Sequence, residues 1–389
     1  MKMKYTKLKC INQYKSESIN PAKTPDTVFE IYSVPIYETG HPEYLRGDEI
    51  ASNKVVVQKN DILLCKINPR INRVWVVLNE SDKQNIASSE WIVIRNSEYN
   101  SEFLAWYFRS VKFQKLMTSE VTGIGGSLTR AQPKCVAEYP VPVLDRKKQN
   151  EIVEILNKCK FIIDLRKREL VGLDDLIKAR FVEMFGDVKQ NPFGWNTSSI
   201  GKVISSCEAG WSGNGTQRKK NDGEIAVLKV SAVTKGYFIP DECKVLDDQN
   251  TIKKYVFPEA GDLLFSRANT REMVGATVVI TQDYPEYILP DKLWKVRFID
   301  TVNVWYMKYI LSSESVRSIF SSVSTGTSGS MYNVSMEKFK TIVIPLPPLE
   351  LQQQFADFVN QVNKSKVAVQ KALDEIQLLF DSLMQKYFG

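Results

Sequence analysis

The chain has 389 residues, 43% of them hydrophobic, with 52 basic and 45 acidic side chains and a formal charge of +7. That length accommodates two or three domains with ordinary cores. The mild basicity is compatible with a polyanionic partner, while the absence of long runs of like charge excludes a histone-like tail.

A single histidine, His41, and six scattered cysteines (Cys10, Cys65, Cys135, Cys159, Cys207 and Cys243) argue against a zinc site. The cysteines read as reduced core thiols of a cytoplasmic protein. Met1–Asn12 has lysines but no apolar h-region, and no apolar run approaches the ~18 residues of a membrane span, so neither a signal peptide nor a membrane partner is expected.

In chain order, strands are expected at Lys54–Gln58, Asp61–Lys66, Arg73–Leu78 and Glu90–Arg95, then a helix at Ser101–Met117. A glycine segment, Gly123-Ile-Gly-Gly-Ser-Leu128, precedes the proline-fixed Tyr139-Pro-Val-Pro-Val-Leu-Asp145. A long helix from about Lys147 to Met184 follows. The order then recurs. Strands are expected at Glu224–Val230, Asp262–Ser266, Ala276–Thr281 and Leu293–Phe298, and a helix at Thr301–Phe320. Next come the segment Gly326-Thr-Ser-Gly-Ser-Met331, the extended Ile344-Pro-Leu-Pro-Pro348, and a second long helix from Leu349 to Tyr387. The helix aromatics Phe103, Trp106, Tyr107, Phe108, Trp305, Tyr306 and Tyr309 read as core, with base stacking the less favoured alternative.

The recurrence is a repeat. An offset of 203 residues superposes Gly123, Gly126, Ser127, Pro142, Gln149, Asn157, Leu170, Leu176, Phe185 and Gly186 on identical residues. Upstream, Asn60-Asp-Ile-Leu-Leu-Cys-Lys66 resembles Gly261-Asp-Leu-Leu-Phe-Ser-Arg267, and Asn68 and Asn269 follow. The period is too long for a solenoid and indicates a duplicated domain with its helix.

Each long helix carries a heptad-like apolar seam that it cannot bury alone. Ile152, Ile155, Cys159, Ile162, Leu173 and Leu176 form the first, interrupted by Arg166 and Glu169. Phe355, Phe358, Val362, Val369, Ala372, Ile376, Leu379 and Leu383 form the second, interrupted by Ser365. The expected fold class is α/β (α+β): two mixed α/β domains, 1–145 and 188–347, separated by helices at 146–187 and 348–389. The helices are expected to pair as an antiparallel coiled coil in a pseudo-twofold internal repeat, with Ile152, Cys159, Ile162, Leu173, Phe355, Phe358, Val362, Val369, Ile376 and Leu379 at the pairing positions.

Catalytic chemistry finds little support. Neither glycine segment has the lysine of a P-loop or the strand–helix setting of a dinucleotide site. Glu242-x-Lys244 resembles a nuclease ending, but Pro240-Asp241 is adjacent rather than a strand away. The Asn/Asp-Pro-Pro-Tyr/Phe tetrapeptide of amino-methyltransferases is missing, and no metal site or catalytic residue is assigned. What remains is recognition chemistry, in which Arg and Lys suit guanine edges or phosphates and Asn and Gln suit adenine edges. On loop chemistry the double-stranded DNA contacts are Lys66, Asn68, Arg70, Arg73 and Arg130 in the first domain. In the second they are Gln217, Arg218, Lys219, Lys220, Arg267, Asn269 and Arg271. The glycine turns are candidates for phosphate contact through their N–H groups, with a purely structural turn as the alternative.

The run Gly326-Thr-Ser-Gly-Ser-Met-Tyr-Asn-Val-Ser…Ile-Pro-Leu-Pro-Pro-Leu-Glu-Leu-Gln352 resembles the junction of type I restriction–modification specificity subunits, where a target-recognition domain passes into a helix. The junction at 123–149 is a weaker copy, and Pro192-Phe-Gly-Trp195 resembles the entry to a second recognition domain. The resemblance implies that each domain reads one half of a split DNA sequence. It implies that the helices set the gap and dock two methyltransferase (M) subunits, which hold S-adenosylmethionine. A motor-nuclease (R) subunit would use ATP and Mg. The chain itself would be a non-catalytic specificity subunit with no cofactor. The alternatives are the specificity subunit of a type II-like methyltransferase–nuclease system, or a catalytic methyltransferase or nuclease.

Overall fold

The computed structural model describes residues 4–119, 121–122, 129–248, 251–324 and 332–389. The chain divides into two compact units: residues up to Lys167 together with Lys371–Gly389, and Arg168–Gln370. Four helices organise them: α1 (Ser101–Arg109), α2 (Arg146–Phe185), α3 (Val304–Ser312) and α4 (Leu349–Phe388). Both contact-based boundaries fall inside the long helices, so each unit owns one half of α2 and one half of α4.

In the first unit the uninterrupted apolar run Ile62–Cys65 forms a strand buried on both faces. Val74–Val76 and Trp91–Ile94 flank it, both antiparallel. Side chains alternate between faces. Ile62 and Leu64 join Phe103, Leu104, Tyr107 and Phe108 of α1, while Leu63 and Cys65 join Tyr32, Trp75 and Trp91 on the other side. A second sheet has the order Ser18–Ile19, Lys54–Val56, Gln84–Ser88, Val28–Tyr32, Glu43–Arg46. The first turns of α2 (Ile152, Val153, Leu156) and the last turns of α4 (Phe380, Leu383, Met384, Phe388) close the α1 face.

The second unit repeats this construction. Leu263–Ser266 is the doubly buried strand, in a sheet ordered Ile204–Ala209, Leu293–Phe298, Leu263–Ser266, Thr277–Val279. Leu263 and Phe265 face Tyr306, Met307 and Ile310 of α3, and Leu264 faces Val278 and Ile280. The last turns of α2 (Ile177, Phe181, Phe185) and the first turns of α4 (Phe355, Val359, Val362) complete the core.

The turn into each central strand is built the same way. Asn60 (φ +71°) and Gly261 (φ +88°) adopt the left-handed conformation that a β-carbon resists. The next residue is a buried aspartate that accepts a backbone N–H three residues back: Gln58 to Asp61 at 2.9 Å, Glu259 to Asp262 at 2.7 Å. Arg95 donates to both Asp61 oxygens at 2.7 and 2.6 Å, and Arg297 donates Nε to Asp262 at 2.6 Å. This pair was not anticipated from sequence.

Two expectations need correction. The helices expected at Ser101–Met117 and Thr301–Phe320 each break in two, at Ser110 and Ser313. Both serines are extended (ψ 150° and 148°) and their hydroxyls accept from Phe113 N and Val316 N, so each caps a new helix instead of continuing the old one. The expected seams are also displaced. Ile155, Ile162, Leu176 and Leu379 are 39–50% exposed. The buried and half-buried stripe of α2 is Gln149, Ile152, Leu156, Cys159, Ile163, Arg166, Leu170, Leu173 and Ile177. On α4 it is Gln352, Phe355, Val359, Val362, Lys366, Val369, Leu373, Ile376 and Phe380. Both follow a strict 3,4 spacing at the same 203-residue offset. The error arose because both helices are apolar on more than one face, so apolarity alone left the phase open. Ser365 is exposed, and Lys366 takes the place on the stripe, its Nζ 2.6 Å from Asp174.

Asp61→Ala and Asp262→Ala each remove a buried carboxylate and strand an arginine and a turn N–H. Each should lower unfolding free energy by about 3 kcal/mol, measured by chemical denaturation. Lys308 of α3 lies against the rings of Trp305 and Tyr309. Burial, and secondarily Lys366, push its ammonium down to about 8 from 10.5, partly offset by Asp174. The unfolded chain therefore binds the extra proton between these values, and stability rises with pH across that window. Burial holds the phenols of Tyr306 and Tyr309 above their ordinary value of 10. Lys308→Met should melt higher than the parent at pH 7, and the gap in Tm should narrow by pH 10.

Candidate nucleic-acid interface

The end of each central strand carries the cations and amides that sequence chemistry singled out. In the first unit Lys66 N donates to Glu90 O (3.0 Å) and Ala131 N to Lys66 O (2.9 Å). Asn68 N donates to Thr129 O (2.8 Å), and Cys65 N to Arg73 O (3.0 Å). These bonds gather Lys66, Asn68, Arg70, Arg73 and Arg130 at one end of the sheet. Asn68 and Asn72 are left-handed (φ +46° and +49°), bracketing the tight turn Pro69–Ile71 that presents Arg70 to solvent. Asparagine tolerates that conformation better than other residues with a β-carbon. Arg130 reaches Glu90 at 3.1 Å and stays half exposed.

The second unit matches. Arg267 N donates to Lys292 O (3.0 Å), and Val334 N to Arg267 O (2.9 Å). Ala268 and Asn269 pair with Asn333 and Tyr332. The Arg267 guanidinium donates to Asp291 O at 2.9 Å, while Arg271 is exposed. The bonds at Ala131 and Val334 sit at the same offset as the helix stripes.

Both strand ends hold polar atoms that are buried without a hydrogen-bond partner among the described residues. These are Asn68 Oδ1, Asn72 Oδ1, Arg73 Nε and Glu90 Oε2 in the first unit, and Ser266 Oγ and Asn269 Nδ2 in the second. Such atoms are rare in native proteins because each costs about 1–3 kcal/mol. Among the described residues one further such atom, Asn85 Oδ1 on Gln84–Ser88, lies elsewhere, and the concentration of the other six marks these ends as sites poised for polar partners.

Gln217–Lys220 behaves differently. Arg218 grips Glu224 through both terminal nitrogens (2.8 and 2.6 Å). That contact, with the Asn221 N–H, holds the Glu224 carboxyl down at about 2. Lys220 lies 2.8 Å from Glu286, and Gln217 accepts from Lys229 at 3.3 Å. Lys219 is exposed without a side-chain partner among the described residues. The loop is thus half neutralised from within. Glu242, considered above for metal chemistry, accepts from Ser231 Oγ (2.6 Å) and lies 2.7 Å from Lys229. The glycine segments 123–128 and 326–331 lie outside the described residues. Asn72, Glu90 and Asp291 were missed from sequence, although Asn72 follows Asn68 by four residues within Asn-Pro-Arg-Ile-Asn.

Residues 192–377 match the family described as type I restriction modification DNA specificity domain. Over that stretch the chain is similar to type I restriction–modification specificity subunits. It is similar to the EcoEI specificity subunit of Escherichia coli, 25% identical over 198 residues that cover 49% of this chain and 33% of that one. The EcoKI specificity subunit of Escherichia coli K12 is 22% identical over 309 residues, covering 74% and 65%. The putative MjaX specificity subunit of Methanocaldococcus jannaschii is 24% identical over 188 residues, covering 45% and 42%. The matches thus span from a third to just under two thirds of these relatives. Among solved structures, the type I restriction–modification S subunit of M. genitalium aligns at TM-score 0.59 and 11% identity, over 100% of this chain and 96% of that one. A chain from a study of complex assembly and conformational transition of the type I R-M system aligns at 0.58 and 18%, over 99% and 97%. These likenesses establish the fold. No helix among the described residues is long and apolar enough to cross a membrane.

If the strand ends meet phosphate, Arg70→Ala and Arg271→Ala should each weaken duplex binding and reduce the slope of log affinity against log salt by about 1. Arg218→Ala, whose charge Glu224 already balances, should change that slope less. Titrations of a fluorescent duplex at several salt concentrations read all three.

Proposed function

We propose that this chain is the sequence-reading subunit of a type I restriction–modification enzyme, each unit reading one half of a split double-stranded DNA target. The observation that carries the reading is the pair of matching strand ends. Each unit offers cations, left-handed or edge-paired asparagines and unpartnered buried polar atoms at the same place, on the same scaffold. Arginine and asparagine are the side chains suited to guanine and adenine edges, and surrounding cations suit phosphates.

On this reading α2 and α4 form an antiparallel coiled coil that sets the gap between half-sites, and the two halves descend from one duplicated domain-plus-helix. Support comes from the two 3,4-spaced stripes at a common offset. It comes also from the clustering of the start of α2 with the end of α4 in one unit, and of the end of α2 with the start of α4 in the other. The helices would also dock methyltransferase subunits, two by the symmetry of the repeat. Those would carry S-adenosylmethionine and methylate adenine, and a restriction subunit would supply ATP- and Mg-dependent cleavage. The chain itself would supply recognition and no catalysis.

Removing one heptad from each helix at matched positions shortens the spacer by roughly 10 Å. The recognised gap should contract by about three base pairs, at about 3.4 Å each, with both half-site sequences unchanged. Sequencing of duplexes selected from a random pool by the intact chain reads this. An unchanged gap with altered half-sites would refute the ruler.

A further inference from the structure

Gln149 and Gln352 are identical at the 203-residue offset and are buried, at 2% and 0% exposure, in the first turn of their long helices. A glutamine so placed must satisfy a donor and an acceptor without water. Gln149 does so by accepting the Asn100 N–H at 2.8 Å and donating to Leu144 O at 2.8 Å. Gln352 accepts the Asn303 N–H at 2.9 Å and donates to Pro347 O at 2.8 Å. The neighbouring residue adds a second bond in each unit: Asn100 Nδ2 donates to Asn150 (2.8 Å), Asn303 Nδ2 to Gln353 (3.1 Å).

Asn100 and Asn303 are the N-caps of α1 and α3. Each clamp therefore joins the first turn of a long helix to the first turn of a recognition-domain helix. In the first unit the far end of that helix touches the candidate DNA-facing loop, and in the second it bonds a strand beside the central one. In the first unit Asn72 Nδ2 donates to Arg109 O, the last residue of α1, at 3.1 Å. In the second, Ser312 at the end of α3 bonds Thr277 at 3.1 Å, on the strand that pairs with Leu263–Ser266. A nine-residue helix is a rod of about 13 Å, so a tilt of roughly 15° at the clamp displaces its far end by about 3 Å, close to one base-pair step. The flanking sequences differ, Leu144-Asp145 against Pro347-Pro348, yet the four-partner arrangement is the same.

We propose that Gln149 and Gln352 are positioning residues for gap length. Each locks its recognition helix to the adjoining long helix at one angle, so that the loop at the far end holds one register on the duplex. The inference rests on the split-target reading given above. It assigns selectivity for spacing to two buried amides as well as to helix length.

The test uses the intact chain and a pool of random duplexes, with bound sequences read by sequencing. The variants are Gln149→Leu, Gln352→Leu and the double. The parent should return one gap length. The single variants should return the same half-sites with gaps one base pair longer and shorter appearing, and the double should broaden further. Loss of general stability alone would lower the yield without changing the gap distribution. Should the leucine variants fail to fold, as judged by melting, Asn150→Ala with Gln353→Ala removes only the exposed outer bonds and should broaden the distribution to a lesser degree. A double variant, or this milder pair, that binds duplex and keeps the parental single gap overturns the proposal. A parent that selects no split sequence overturns the functional reading itself, which separates the two failures.

Discussion

The apolar stripe along each forty-residue helix cannot remain in water, and the rest of the molecule is arranged around covering it. A fully buried leucine or phenylalanine is worth about 2 kcal/mol. The ion pairs along the same helices, such as Lys158–Glu154 and Lys160–Asp164, are exposed and contribute well under about 1 kcal/mol each. Burial therefore decides where the helices lie, and the charges decorate them. In each unit the stripe is covered by the other long helix and by the aromatic helix α1 or α3. Phe388 packs on Phe103 and Tyr107 in one unit, and Phe185 on Tyr306 and Phe355 in the other. The phenylalanine that ends each long helix thus completes the core of a globular part of the chain far away in sequence.

That scaffold leaves the polar work to the strand ends. The central strands are buried on both faces and begin at an aspartate–arginine turn. They end where the chain must leave the sheet, and at that end polar atoms have no partner among the described residues. The contrast with Gln217–Lys220 is instructive. That loop holds three consecutive cations, Arg218-Lys219-Lys220, yet Arg218 and Lys220 are committed to Glu224 and Glu286. Charge counted along a sequence is a poor measure of charge available to a ligand.

Much of this was legible in the sequence. The central strands and both long helices follow from apolar runs and proline punctuation. The remainder was not, for identifiable reasons. The strands Val28–Tyr32, Glu43–Arg46 and Cys243–Leu246 carry buried charge or short mixed patterns that match no simple period. Glu30, for example, is fully buried because Tyr32, Ser81 and two backbone N–H groups bond it. The helix breaks at Ser110 and Ser313 depend on a hydroxyl choosing a cap. The seam phase depends on which of two apolar faces meets a partner, a tertiary matter. Gln149 and Gln352 were visible as identities, but their role needed the hydrogen bonds.

The central claim is that two separable readers share one spacer. The direct measurement replaces residues 1–145 with the corresponding residues of a relative and compares the duplexes selected by the parent and by the chimaera. The account predicts that one block of the target changes while the other block and the gap between them stay as they were. A change in both blocks, or in neither, would contradict it.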